Sequence, residues 1–268
     1  MMKRLRPLLG TWVEIGVEDV EASRAASVIE RGFAAVELVH RLMSVHRPDS
    51  DLSRINHDAW RAPVTVHPWT LKTLRWALLI RAATDGLFDC ALGHELGRHG
   101  LVDGHAFEGA ASGSLADVGI ARDGAVRLTR RIALDFGGIA KGFAVDRAIA
   151  ILRAAGARRA SVNAGGDLRV MGDAPQAVHV RTPSDPRGLR LAGFLTNGAI
   201  ATSATDGAID VTTRQPIRDG RIWSVIAPRC IVADALTKVV AQTGRTEAPW
   251  LARFGATVWV PPPLLATA

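Results

Sequence analysis

The order of the helical and strand patterns constrains the fold of this chain more than any single motif does. In the first half, one alternating β-rich stretch (11–17) precedes two long stretches with apolar residues at helical spacing, 20–43 and 68–83. In the second half, short β-rich stretches dominate, with helices predicted at 138–155 and 231–243 between them. Because strands and helices do not alternate regularly, we expect an α+β fold rather than a doubly wound parallel sheet.

Composition permits a sizeable core and favours anionic partners. The chain has 268 residues, of which 48% are hydrophobic and 22% charged. Its formal net charge is +7, so nucleotides, phosphates, acidic proteins and nucleic acid would all suit it. The basic residues are scattered, without a basic tail or a basic stripe interleaved with aromatic residues, so no nucleic acid is expected.

The N-terminal segment and the cysteines favour a cytoplasmic protein. The basic start is followed by too few apolar residues for the hydrophobic region of a secretory signal. The chain contains no run of 18 apolar residues, so no membrane span is expected. Cys90 and Cys230 match no metal-binding spacing, which favours two reduced and packed thiols.

The stretch DFGGIAKG (135–142) places an acid, two glycines and a lysine at the start of an apolar helix. Small residues there let an anion approach exposed backbone N–H groups, and Lys141 adds positive charge. The lysine precedes Gly142, so the stretch is not a Walker loop. The alternative is a tight strand-to-helix turn with Asp135 as a helix cap. On this stretch alone, both interpretations stay open.

A second acidic position lies within the predicted helix at 231–243. Asp234 shares a helix face with Thr237 and Lys238, which follow it by three and four residues. A carboxylate, a hydroxyl and a backbone carbonyl together would suit a hard cation such as Mg²⁺. The alternative is an exposed Asp234–Lys238 ion pair on the helix surface.

Two further stretches carry polar side chains in less specific patterns. The hydroxyl-rich run ATSATDG (201–207) would fit either a phosphate site or an ordinary Ser/Thr turn. Asp89 and His94 lie in a glycine-punctuated stretch, 84–100, which is expected to be rich in loops. No second histidine lies near His94 at metal-ligand spacing.

Taken in order along the chain, these stretches resemble the ApbE family, the FAD:protein FMN transferases. The resemblance is collinear and covers roughly residues 8 to 245. The segments that carry it are LLGTWVEI (8–15), LMSVHRPDSDLSRIN (42–56), TDGLFDCALGHELG (84–97), LDFGGIAKGFAVDRA (134–148), SVNAGGDLRVMG (161–172), IATS (200–203) and VIAPRCIVADALT (225–237).

The resemblance implies an ApbE-like α+β fold with two closely packed subdomains of mixed or antiparallel sheet and helices. They would form a single domain over residues 1–260, with the ligand cleft between them and a C-terminal tail at 261–268. The implied reaction moves FMN from FAD, the substrate, to a Ser or Thr of an acceptor flavoprotein and releases AMP, with Mg²⁺ as cofactor.

The resemblance also assigns roles to particular residues. The metal ligands fall on the carbonyl of Ala140, on Asp234, and on the residue four positions later. That residue is Lys238 here instead of threonine, and Thr237, one position early, offers the nearest hydroxyl. By position, the FAD contacts are Leu9, His46, Leu87, Phe88, Asp89, Asp135 and Lys141.

Other departures from the family pattern bear on catalysis. Leu9 replaces the usual Met, His46 the usual Tyr, and Ala204 the usual Gly. A histidine thought to help activate the acceptor hydroxyl is missing, because the link SATDGAIDVTTRQP (203–216) is short. Asp210 matches an acid of the family motif that contains this histidine, and it is the candidate catalytic residue. His94 is the other residue that could substitute for the missing histidine.

The missing histidine leaves two rival functions open. A general base contributes ~10²–10⁴-fold to a rate, so its loss is consistent with a slow transferase. One rival is an FAD-binding protein without transfer, acting as a flavin carrier or regulator. The other is a metal-dependent FAD pyrophosphatase that releases FMN and AMP to water.

Overall fold

The computed structural model describes residues 1–182 and 185–260, and the tail expected at 261–268 lies outside the described residues. Seven strands form one sheet with the order β1-β2-β5-β6-β9-β10-β11, and every neighbouring pair in it is antiparallel. In chain order the strands are β1 (Met2–Leu8), β2 (Thr11–Glu18), β3 (Val118–Ile120), β4 (Val126–Leu128), β5 (Arg159–Ala164), β6 (Asp167–Met171), β7 (Gln176–Thr182), β8 (Asp185–Leu195), β9 (Ala199–Ala204), β10 (Ile222–Ala227) and β11 (Thr257–Trp259). The mixed helical and antiparallel architecture confirms the α+β prediction.

Three helices pack against one face of this sheet. Helix α1 contacts β1 and β2, α5 contacts β5 and β6, and α6 contacts β9 and β10. In the described residues the α-helices are α1 (Ala22–Met43), α2 (Asp51–Asp58), α3 (Pro68–Ala83), α4 (Gly93–Arg98), α5 (Ala140–Ala154), α6 (Cys230–Thr243) and α7 (Pro249–Arg253), with 3-10 turns at Gly104–Phe107 and Leu115–Asp117.

The β7–β8 hairpin covers part of the opposite face. Because successive side chains of a strand point to opposite faces, Ala199 and Ala201 of β9 join the large core beneath the helices, whereas Ile200 packs with Val178 and Val180 of β7. The large core is a continuous cluster of buried apolar residues that extends from Val13 to Ala256.

Helices α5 and α6 cap each other's N-termini. Neither helix has a side-chain cap from its own N-cap residue. Instead, Asp234 Oδ2 on α6 accepts the N–H of Gly142 at 3.0 Å, in the first turn of α5. Asp146 on α5 accepts the N–H groups of Cys230 and Ile231 at 3.0 and 3.1 Å, where α6 begins. These two aspartates therefore fix the starts of both helices relative to each other.

We expect Asp146→Ala to lower the free energy of unfolding by about 2 kcal/mol, because two N–H groups of α6 and the guanidinium of Arg169 lose their acceptor. Urea unfolding followed by tryptophan fluorescence measures this loss. Asp173→Ala is the matched control, since Asp173 pairs with Arg159 but is 83% exposed, and such surface pairs contribute about 0–1 kcal/mol. Equal losses in the two variants would show that Asp146 has no special capping role.

One prediction of local structure is wrong. The β-rich sequence RIALDF predicts a strand at residues 131–136, but these residues form only one isolated bridge, between Ala111 and Ile132. Their backbone bonds go elsewhere: Leu134 bonds the side chain of Asn56 through both its N–H and its carbonyl. The stretch 84–100 is rich in loops, as predicted, and also contains the short helix α4, whose Glu95 is only 2% exposed.

Candidate functional site

A cleft of about 300 Å³ brings together four segments that are distant in the sequence. They are residues 87–102 with helix α4, the turn at 135–138, the end of β9 with the loop that follows it, and one side of α6. The residues lining it are Leu87, Phe88, Asp89, Cys90, Leu92, Leu96, Leu101, Val102, Asp135, Gly137, Gly138, Ser203, Ala204, Asp206, Gly207, Ala208, Ile209, Val211, Lys238 and Gln242. Of the sequence-predicted residues, the triplet 87–89 and Asp135 therefore share one cleft.

The turn before α5 is built around Asp135. The N–H of Asp135 bonds the carbonyl of Cys90 at 2.8 Å, and its Oδ1 accepts the N–H of Gly137, also at 2.8 Å. Asp135 thus stabilises the turn, while α5 itself begins at Ala140 without a cap from it. Burial raises the pKa of Asp135, although the Gly137 hydrogen bond and the charges of His46 and Lys238 oppose the rise.

Behind this turn lies a network of opposite charges in which the two acids are buried. Lys141 Nζ donates to Asp167 Oδ2 and lies 3.7 Å from Asp234 Oδ1. Burial alone would lower the pKa of Lys141, but the carboxylates of Asp234 and Asp167 outweigh it and raise that pKa. Burial and the Asp234 charge raise the pKa of Asp167 to about 6, against the opposing effect of Lys141. Lys141 is therefore held as an ammonium between two acids.

Lys238 lies at the edge of this network and lines the cleft. Its Nζ donates to Ser203 Oγ at 2.6 Å and lies 4.0 Å from Asp234 Oδ1. Burial lowers the pKa of Lys238, while the carboxylate of Asp234 opposes that effect. The side chain of Asp234 is 1% exposed, so the Asp234–Lys238 contact is not the exposed surface pair considered as an alternative.

The short loop after β9 forms the opposite wall of the cleft. Asp210 Oδ1 accepts the N–H groups of Thr212 and Thr213 at 2.8 Å each, which shapes a turn within this loop. Ile209 and Val211 on either side line the cleft, but Asp210 is absent from the lining among the described residues. A catalytic role for Asp210 stays a prediction.

Hydrogen bonds from neighbouring side chains and backbone N–H groups fix the position of the triplet 87–89. Asp89 accepts from Arg81 Nε at 3.1 Å and from the N–H groups of Ala91 and Leu115 at 2.8 and 3.0 Å. Gln242 of α6 donates to the carbonyl of Leu87. The carboxylate of Asp89 therefore organises the loop that presents Leu87 and Phe88 to the cleft.

Leu9 and His46 lie outside this cleft. Leu9 and Gly10 have φ values of 56° and 70° and form the two-residue turn between β1 and β2. His46 lines a second cavity of about 600 Å³, together with Asn56, Arg131 and Ala133. Asp135 lines the first cleft and Ala133 the second, so the extended 131–136 segment lies between the two cavities. The roles of Leu9 and His46 in binding FAD stay predictions.

The residues at the expected metal positions do not present a magnesium donor set. Two ammonium groups approach Asp234 Oδ1, and Oδ2 already accepts the Gly142 N–H. Thr237 is fully buried, and its hydroxyl donates to the carbonyl of Asp234 at 2.6 Å. In the described part of the chain, no group of three or more His, Cys, Asp or Glu side chains converges on a possible metal position.

Sequence reasoning did not assign site roles to Asp167 and Gln242. Asp167 is 2% exposed and pairs with Lys141. Gln242 joins two walls of the cleft, because its side chain also accepts the N–H of Val211 at 3.1 Å. The signal for Asp167 that the sequence offers is an acid directly after the glycine pair 165–166. Nothing in the sequence distinguishes Gln242 from an ordinary helix-surface residue.

The fold and the site define an α+β protein whose cleft carries the ammonium group of Lys238 beside the Gly137–Gly138 turn, which suits an anionic ligand. The chain belongs to the ApbE family, since the sequence model of that family matches residues 9–258. This match confirms the resemblance seen in the motifs.

Relatives and solved structures agree with this assignment. The FAD:protein FMN transferase of Klebsiella pneumoniae is 27% identical over 77% of this chain and 67% of its own length. That of Rhodobacter capsulatus is 26% identical over 91% of this chain, which spans only 52% of that relative.

Solved structures with 22% and 24% identity show the same fold. A histidine-to-glycine mutant of the flavin transferase ApbE from Vibrio cholerae has a TM-score of 0.79, covering 96% of this chain and 93% of that one. The ApbE protein of Thermotoga maritima has a TM-score of 0.75, covering 91% and 87%. Among the described residues, no helix is long and apolar enough to cross a membrane.

Proposed function

We propose that this protein is an FAD:protein FMN transferase, which moves FMN from FAD to a Ser or Thr of an acceptor flavoprotein. The proposal depends mainly on membership of the ApbE family over residues 9–258. The relatives described above are named FAD:protein FMN transferases. The cleft supports it, since it joins the triplet 87–89, the Gly137–Gly138 turn and Lys238 around a space for an anionic ligand.

The proposed reaction is a displacement at phosphorus. The acceptor hydroxyl oxygen bonds to the phosphorus that carries riboflavin, and the bond from that phosphorus to the bridging oxygen breaks. AMP leaves with the electron pair of that bond, and the hydroxyl proton passes to a base or to water. Positive charge near the phosphates stabilises the charge that develops on their oxygens, and Lys238 is the ammonium group that lines the cleft.

Several finer expectations belong to this proposal. Asp210 stays the candidate base because of its place in the short loop. The predicted FAD-binding residues stay Leu9, His46, Leu87, Phe88, Asp89, Asp135 and Lys141. The two cavities on either side of the 131–136 segment offer room for the two halves of a dinucleotide. The continuous core favours one domain over residues 1–260, and the location of the cleft between two subdomains stays a prediction. The cytoplasmic location expected from the sequence stays a prediction.

Mg²⁺ also stays a prediction of the family resemblance. When bound, it would neutralise phosphate charge and polarise the phosphorus that is attacked. The donors assigned to it, the carbonyl of Ala140, Asp234 and Thr237, do not fit that ion in the observed arrangement, because ammonium groups flank Asp234 and the Thr237 hydroxyl is turned away. No step of the proposed reaction is assigned to the metal.

The dependence of AMP release on an acceptor tests the proposal. Incubated with FAD and an acceptor flavoprotein domain, the protein is expected to release AMP only when the acceptor is present. AMP release that is equally fast without acceptor would indicate an FAD pyrophosphatase. Stable FAD binding with no AMP under any condition would indicate a flavin carrier or regulator, and either result would overturn the proposal.

A further inference from the structure

The buried carboxylate of Asp234 already has cationic neighbours within the chain. Its Oδ1 lies 3.7 Å from Lys141 Nζ and 4.0 Å from Lys238 Nζ, and its side chain is 1% exposed. Its other oxygen accepts the N–H of Gly142. A divalent cation bound to Asp234 would lie close to both ammonium groups and would be repelled by them.

The side chain of Lys238 is held along its length at this position. Its aliphatic part lies against Gly138, where an added Cβ would be 3.2 Å from Lys238 Cγ. Its Nζ is 2.6 Å from Ser203 Oγ, on the neighbouring strand β9. Because both the stem and the head have contacts, the ammonium is fixed beside Asp234 while it still lines the cleft.

The charges near Asp234 show what Lys238 contributes. Asp167 and Asp234 are the acids within ion-pair distance of the two lysines, and Asp135 acts on Lys238 only from farther away. When ionised, Asp167 and Asp234 carry two negative charges, and Lys141 balances one of them. With a neutral residue at position 238, the group would retain one uncompensated carboxylate, which is a favourable environment for an added cation. Lys238 supplies that missing positive charge from the chain itself.

We propose that the ammonium of Lys238 takes the place of a divalent cation in this cleft and binds a phosphoanhydride anion without a metal. The site would therefore have low affinity for Mg²⁺ and Mn²⁺, and its binding of FAD would not depend on either. This inference rests on the proposed function only for the identity of the anion. The absence of metal binding at Asp234 can be tested independently of any reaction.

Mn²⁺ binding, followed by electron paramagnetic resonance, tests the inference directly. The wild-type protein and the surface control Lys72→Thr are expected to bind Mn²⁺ at least about 30-fold more weakly than Lys238→Thr, which removes the ammonium and supplies a hydroxyl. A wild-type affinity within threefold of that of Lys238→Thr would overturn the inference. If Lys238→Thr does not fold, stoichiometric tight binding of Mn²⁺ by the wild-type protein would overturn it, and weak binding would support it.

The affinity for FAD, measured in EDTA to remove divalent metal ions, is a second test of the inference. Lys238→Met keeps an unbranched stem against Gly138 but lacks the charge, so we expect its FAD dissociation constant to rise about tenfold in the absence of metal. Wild-type binding is expected to change less than twofold between EDTA and Mg²⁺. Unchanged FAD affinity in Lys238→Met, or strong Mg²⁺ dependence in the wild type, would contradict the inference. Failure to release AMP in any condition would instead count against the proposed transfer reaction.

Discussion

Asp234→Ala is expected to reduce acceptor-dependent AMP release from FAD at least 100-fold, because this carboxylate holds both ammonium groups of the site. The same change should lower the free energy of unfolding by about 3 kcal/mol, since it leaves Lys141 and Lys238 partly uncompensated and removes the acceptor of the Gly142 N–H. AMP release and urea unfolding measure the two effects separately.

The variant Asp234→Asn distinguishes the effect of the negative charge of Asp234 from the effect of its hydrogen bond to the start of α5. Its amide oxygen can still accept the N–H of Gly142, so we expect it to recover most of the lost stability while activity stays low. Asp173→Asn, at an exposed acid, is the control for a change of net charge. If Asp234→Asn were as active as the wild-type protein, the charge of Asp234 would have no role in the reaction.

Gly142→Ala is expected to destabilise the protein by about 3 kcal/mol, because the added methyl group would overlap the backbone where α5 crosses α6. A Cβ at Gly142 would lie 2.4 Å from the carbonyl oxygen of Cys230 and 2.8 Å from Cα of Ile231. Helix propensity alone gives the opposite sign, since alanine is favoured over glycine in a helix by about 1 kcal/mol. The sign of the change in the free energy of unfolding, measured with urea, therefore shows whether steric overlap or helix propensity is the larger effect.

Gly119→Ala is the matched control for this substitution. A Cβ at Gly119 would have the carbonyl oxygen of Arg127 at 3.8 Å as its nearest neighbour, which is an ordinary van der Waals contact. Its stability should stay close to that of the wild-type protein. A stabilising effect of Gly142→Ala would show that α5 and α6 separate easily at this crossing.

The regular elements were predictable where local signals agree. Helix α3 spans Pro68–Ala83, the range that its apolar spacing and initial proline predict. The glycine pair at 165–166 predicts a turn, and strands β5 and β6 lie on either side of it. A glycine at the end of an apolar helical pattern predicts a helix end, and Gly244 after α6 has the left-handed φ of 64° typical of one. In each case a turn or cap residue coincides with the end of a hydrophobic pattern.

The errors arise where tertiary contacts replace local signals. Strand β1 was not predicted, because its sequence MKRLRPL is largely exposed and forms a strand by pairing with β2 across the Leu9–Gly10 turn. The 131–136 segment has the β-rich composition of a strand, yet it bonds the Asn56 side chain and isolated backbone groups instead of a ladder. Composition cannot reveal which partner a backbone will find.

In the candidate site, too, some features could be predicted from the sequence and others depend on tertiary contacts. The order of the motifs predicted that the triplet 87–89 and Asp135 share one site, and both line the same cleft. Helix spacing could not decide whether Thr237 or Lys238 faces that site, since both follow Asp234 on one face of the helix. The structure turns the hydroxyl of Thr237 back onto α6 and leaves Lys238 facing the cleft. The Lys141–Asp167 pair depends on the packing of α5 against β6, which sequence spacing alone does not give.

The mass of the acceptor protein tests the proposed transfer most directly. After incubation with FAD, intact mass spectrometry of the acceptor domain should show the gain of one FMN less one water, in equal amount to the AMP released. An acceptor variant in which the modified Ser or Thr is replaced by alanine should show no gain and little AMP. AMP formation without any gain in acceptor mass, or a gain in the alanine variant, would contradict transfer of FMN to a hydroxyl.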